Sequence, residues 1–243
     1  DETDARVYLE LDQLKKRLNV AVKERWSDME KHFDLVESRD DLYLEYVTIL
    51  NTLGESEKAL NLIKARKFHQ WEGGEGKVAA QYLTALYQLA KAAVEKEDYA
   101  EAKELLLRAV GEYPHNLGEG KLESGQENNL YYLLGLVQEK LGEAKDAFES
   151  LTRACCGESE PVGMMYYNDQ PPEMIYYQGL AYRMLGEEEQ AVRRFQKLVD
   201  YGREHIRDDV KIDYFAVSLP DLLIFEENLN ERNRKHCLFM MSL

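Results

Sequence analysis

LGEAKDAF at residues 141–148 and LGEEEQAV at 185–192 are two copies of one signal. Each is a short polar break followed by an alanine that starts an apolar helical series. LGESEKAL at 53–60 and KEDYAEAK at 96–103 carry the same break. The alanines are Ala59, Ala102, Ala147 and Ala191, at spacings of 43, 45 and 44 residues. A fixed interval of this size marks units that cannot bury their apolar faces alone and stack on their neighbours.

Around each anchor the apolar residues recur at helical spacing. Leu86, Leu89, Ala90 and Ala93 precede one break; Tyr99, Ala102, Leu106 and Ala109 follow it, and Pro114 ends the second helix. In the next unit Tyr131, Leu134 and Gly135 lead to Gly142, then Ala147, Leu151 and Ala154. In the last, Ile175, Gly179 and Tyr182 lead to Gly186, then Ala191, Phe195 and Leu198. Small residues where helices cross and large ones where they interdigitate describe paired helices. A looser unit runs through Tyr43, Tyr46, Leu50, Gly54, Ala59 and Ile63, and the first 38 residues read as one more degenerate hairpin.

Bulk composition narrows the function. The 243 residues carry a formal charge of −15, with 44% hydrophobic residues and five prolines. That charge argues against nucleic-acid phosphates and anionic membrane surfaces as partners. No apolar run is long enough to span a bilayer, and three cysteines are too few for a disulfide framework, so a cytoplasmic location is expected.

These positions resemble the tetratricopeptide repeat, most closely over Ala80–Pro114 and Asn128–Tyr201. The resemblance implies an all-α chain: a right-handed α-solenoid of about five stacked helix-turn-helix hairpins. Their expected spans are 4–38, 41–67, 78–113, 127–156 and 172–203, within a single domain 1–243. The segment 207–243 is expected to be an incomplete further repeat, with Leu238, Phe239 and Met240 leaving apolar surface for self-association. The usual period is 34, so each unit carries about ten extra residues, placed in long loops between hairpins. FHQWEGGEGKV, YPHNLGEGKL and DYFAVSLPDLLIFEENLN are also similar to the helical region of large bacterial proteins with an N-terminal mutarotase-like, sugar-binding sandwich. That likeness implies domain context and carbohydrate as an alternative ligand. Chaperone-binding relatives grip a terminal carboxylate with a cluster of Lys, Arg and Asn. The corresponding positions here are Leu44, Thr48, Gln88, Asn129 and Leu133, where Asn129 survives without cationic company and no such clamp is expected.

Catalytic chemistry is not legible. Gly-Glu-Gly-Lys occurs at 74–77 and again at 118–121. It lacks the spacing of a phosphate-binding loop, and Glu75 and Glu119 would sit among the phosphates. The five histidines show no metal-ligand spacing, and no serine or cysteine lies in a nucleophile motif. No cofactor, metal or enzymatic activity is expected. A non-catalytic scaffold is: a module for a protein or peptide partner, or for neighbouring domains of a longer parent chain.

Two sets of residues are the candidates for binding. Tyr87, Tyr132 and Tyr176 follow equivalent core positions in three successive first helices, and Tyr177 widens the row. A tyrosine ring offers rigid apolar surface with a polar tip. The inter-hairpin loops supply Trp71, His115, Asn116, Tyr166, Tyr167 and Asn168, expected to form a rim beside that row. On this reading the repeated Gly-Glu-Gly-Lys is a joint that holds the rim, its lysines free.

Overall fold

The computed structural model describes residues 4–71, 73–121, 125–163, 169–211 and 228–243. Among them there are twelve α-helices, one 3-10 turn and no strand. The all-α expectation holds. The chain divides into two compact units, 1–125 and 126–243.

In the first unit α1 (Ala5–Arg17), α2 (Val22–Lys31) and the short α3 (Phe33–Val36) precede two hairpins. These are α4 (Asp40–Thr52) with α5 (Ser56–Ala65), and α6 (Lys77–Glu95) with α7 (Tyr99–Val110). A 3-10 turn at His115–Leu117 closes the unit. In the second, α8 (Asn128–Lys140) pairs with α9 (Ala144–Ala154), and α10 (Pro172–Met184) with α11 (Glu188–His205). Helix α10 also packs on α8 and α9, and α12 (Leu229–Ser242) lies on α11.

The breaks that announce the period are helix stops of one kind. The amide of Glu55 donates to Leu50 O, that of Glu143 to Gln138 O, and that of Glu187 to Tyr182 O. Between each pair sits a left-handed glycine, Gly54, Gly142 or Gly186. This six-to-one bond satisfies a carbonyl that the ending helix leaves open, and glycine reaches the left-handed region without Cβ strain. In the remaining turn Asp98 N donates to Ala93 O, and Glu97 takes the left-handed position at φ 59°. The anchor alanines follow at once, and all four are buried.

Close helix approach explains two further glycines. A side chain at Gly135 would enter Leu151, and one at Gly179 would enter Phe195, each on the partner helix of its hairpin. The vicinal cysteines divide: Cys155 is buried, its thiol pushed up to about 12 by burial, while Cys156 is exposed.

The C-terminal expectation needs a correction. Leu238 and Phe239 are 46% and 45% exposed, but Met240 is fully buried against Ile175 and Leu198. Helix α12 approaches α11 so closely that a Cβ at Gly202 would stand 2.8 Å from Cys237 O. Residues 212–227, which belong to the segment expected to be an incomplete further repeat, lie outside the described residues.

Candidate functional site

The two Gly-Glu-Gly-Lys stretches meet in the first unit. Gly76 takes a left-handed conformation (φ 72°) and Lys77 opens α6. A glycine at this position cannot cap the helix with a side chain, so the first amides of α6 need another acceptor. Glu119 supplies it: its carboxylate accepts from Gly76 N at 2.7 Å and from Ala79 N at 2.9 Å. The glutamate of the second stretch thus caps the helix that the first stretch begins, adding a negative charge at its positive end. A phosphate would have to displace this carboxylate.

The loop carrying Glu119 is held at both ends. Asn116 donates its side-chain amide to Ile63 O (2.7 Å) and Arg66 O (2.8 Å), closing the end of α5, and its own carbonyl accepts from Phe68 N (2.8 Å). Gly118 follows at φ 78°, where a Cβ would lie 2.7 Å from Phe68 O. Lys121 donates to Val110 O at 2.7 Å, so this lysine serves the end of α7, contrary to the expectation that both lysines are free. The stretches are also unequal in placement: Lys77 starts α6 directly, whereas α8 begins only at Asn128.

A cleft of about 340 Å³ opens beside this joint, lined by His69, Trp71, Gly74, Glu75, Leu117 and Glu119 among others. Gly74 leaves room for the Trp71 indole, which a Cβ there would strike. Leu117 and Val78 give the cleft an apolar floor, and Glu75 is exposed. Asp40, the first residue of α4, fixes the approach to it by accepting from Arg66 Nε at 2.6 Å and from His69 N at 2.8 Å. Burial alone would raise the Asp40 pKa, but the His69 amide and the Arg66 guanidinium outweigh it and hold the carboxyl below its usual range. Both Glu119 oxygens are engaged by α6, which leaves Glu75 as the exposed carboxylate among the described residues that line the cleft.

The other candidates fall as follows. His115 is exposed at the start of the 3-10 turn, and Asn116 spends its donors on backbone carbonyls. Tyr87 is half-buried on α6 with the Lys91 ammonium 5.8 Å from its ring centre. In the second unit Tyr132, Tyr177 and Tyr176 form a chain of rings. Centroids are 5.6 Å apart from Tyr132 to Tyr177, 5.8 Å from Tyr177 to Tyr176, and 5.6 Å from Tyr176 to Phe195. Tyr132 also packs on Leu151, Ala154, Cys155 and Ala181, and Tyr176 on Ile175, Leu198 and Met240. Burial, with the neighbouring phenols of Tyr176 and Tyr177, pushes the Tyr132 hydroxyl up. These rings therefore contribute to packing as well as to half-exposed surface. Tyr166, Tyr167 and Asn168 lie outside the described residues.

Sequence reasoning did not single out Glu119 as a cap, nor Asp40. The signal for Glu119 was present in the repeated motif, but its partners Gly76 and Ala79 lie 43 and 40 residues away. Among the described residues no group of histidine, cysteine or carboxylate side chains could hold a metal ion, and no helix is long and apolar enough to cross a membrane.

Comparison with solved structures finds similarity to two crystal structures of MamA. One is 20% identical with a TM-score of 0.40, covering 78% of this chain and 94% of that one. The other is 17% identical with a TM-score of 0.42, covering 86% and 97%. The tetratricopeptide repeat family model matches residues 84–116 and 173–201. The first match spans the end of α6 with α7, the second α10 with most of α11, so each frames one of the hairpins described above.

Proposed function

We propose that this chain is a non-catalytic interaction module whose first unit takes a basic peptide segment of a protein partner in the cleft beside the joint. The observation that carries this reading is the pairing, in one cleft, of the Trp71 indole with the outward Glu75 carboxylate on a chain of charge −15. An aromatic face beside a carboxylate suits a lysine or arginine side chain, which gains a cation–π contact and a charge-assisted hydrogen bond together. The peptide belongs to a separate protein or to a neighbouring domain of a longer parent chain, such as the sandwich that the sequence resemblance implies. Burial pushes the Cys155 thiol up, away from the thiolate that a nucleophile at neutral pH requires.

Trp26 and Trp71 are the two tryptophans, so Trp26→Phe leaves Trp71 as the sole indole reporter. A lysine-rich nonapeptide is expected to shift its emission saturably, and a glutamate-rich one to leave it unchanged. By calorimetry, Glu75→Gln and Trp71→Ala should each weaken the lysine-rich peptide by about tenfold, the size of one cation–π or charge-assisted contact. Binding of that peptide by both variants as tightly as by the parent would sink the reading. A neutral oligosaccharide that moves the indole while both peptides fail would replace it with the carbohydrate alternative.

A further inference from the structure

Helix α1 is amphipathic in the inverse sense. Its inward face is polar: Asp12 accepts from Arg25 on α2 at 3.0 and 2.6 Å, and Lys16 reaches Glu45 on α4 at 3.1 Å. Tyr8 and Lys15 both bond Asp28 of α2. Its outward face is apolar. Val7, Leu11 and Leu14 are 44%, 44% and 38% exposed, and Leu18 at the helix end is 69% exposed. Intervals of four, three and four place these residues on one stripe, the spacing of a helix-pairing seam. A stripe of this kind facing water is a binding surface.

We propose that α1 pairs antiparallel with α1 of a second copy of this chain. The stripe is self-complementary about a two-fold axis between Leu11 and Leu14. Leu11 then faces Leu14 of the other copy, and Val7 faces Leu18, as an isologous interface requires. Charge agrees: Glu10 and Arg17 flank the same edge of the stripe, so the antiparallel arrangement sets each against the other's opposite charge. The exposed pair that Glu10 makes with Arg6, and the contact that Arg17 already keeps within its own chain, are exchanged for this one. Parallel pairing would instead crowd the two Lys15-Lys16-Arg17 turns together and align the helix dipoles unfavourably.

Sedimentation equilibrium of the 243-residue chain at high concentration is expected to give twice the 28.3 kDa chain mass. Leu11→Arg with Leu14→Arg should return it to a single chain mass, with association weakened by about 100-fold or more and the helical circular dichroism unchanged, since both side chains point outward. Glu10→Arg alone should weaken the dimer, and adding Arg17→Glu should restore it. A single chain mass for the unaltered protein would overturn the proposal. So would a dimer indifferent to the Leu11 and Leu14 changes, or one abolished by Leu238→Ser with Phe239→Ser, which would place the interface on α12.

Discussion

Arg25→Ala is expected to lower the stability of the first unit by about 3–5 kcal/mol, because it strands a buried carboxylate. Arg25 and Asp12 are 5% and 3% exposed. The guanidinium spans α1, α2 and α4 by donating to Asp12 at 3.0 and 2.6 Å and to Glu45 at 2.6 Å. Removal of one partner leaves Asp12 without its counter-ion in a place water does not reach. The double change Arg25→Met with Asp12→Leu should cost far less, since it removes both charges and keeps the volume. Both tryptophans lie in this unit, so urea melts followed by indole emission report it alone. The same network sets a pH dependence. Burial works to raise the Glu45 pKa, but Lys16 and Arg25 outweigh it and hold the carboxyl below its usual range. A depressed folded value means that the stabilisation is present above the unfolded value of about 4.3 and is lost as pH falls through the folded one. The gap between the unaltered protein and Arg25→Ala should therefore narrow below about pH 4. A variant as stable as the parent at pH 7 would show that the network contributes nothing.

Gly118→Ala should cost about 2–3 kcal/mol through two separate penalties. Its φ of 78° lies in the left-handed region, and the new Cβ would stand 2.7 Å from the Phe68 carbonyl oxygen, a backbone atom that cannot swing aside. The loop would lift from residues 66–69, carry Glu119 away from α6, and expose the Trp71 indole, shifting its emission to the red. Gly120→Ala is the control two residues on, where a Cβ meets nothing within 4 Å, and it should stay within about 0.5 kcal/mol of the parent. Equal effects at the two glycines would mean that the loop does not rest on the Phe68 backbone.

What the sequence makes legible is local. The Leu-Gly-Glu breaks specify helix stops because the bonds involved join residues five apart, and the anchor alanines follow from helical spacing. Pro114 ends a helix for the same local reason. What it hides is tertiary. Glu119 reads as one more surface glutamate until the fold brings it to α6, and Asn116 reads as a rim residue until Ile63 and Arg66 claim its donors. The tyrosine row is visible as a period, yet the division of each ring between core and surface depends on Leu151, Leu198 and Met240, which belong to other helices. Helix α1 shows the limit most clearly. Its leucine stripe looks like a core face by pattern alone, and only the Asp12–Arg25–Glu45 network reveals that the helix is turned the other way.

The central claim is that the second Gly-Glu-Gly-Lys stretch caps the helix begun by the first and so builds the cleft. Amide hydrogen exchange at Gly76 and Ala79, resolved by NMR, tests it most directly. An uncapped helix start exchanges at nearly the rate of an open chain, because its first amides have no acceptor within the helix. The account predicts that both amides are protected in the unaltered protein, and that Glu119→Ala releases them while leaving the amides of α12 as they were. Open-chain exchange at Gly76 and Ala79 in the unaltered protein, or protection that survives Glu119→Ala, would contradict it.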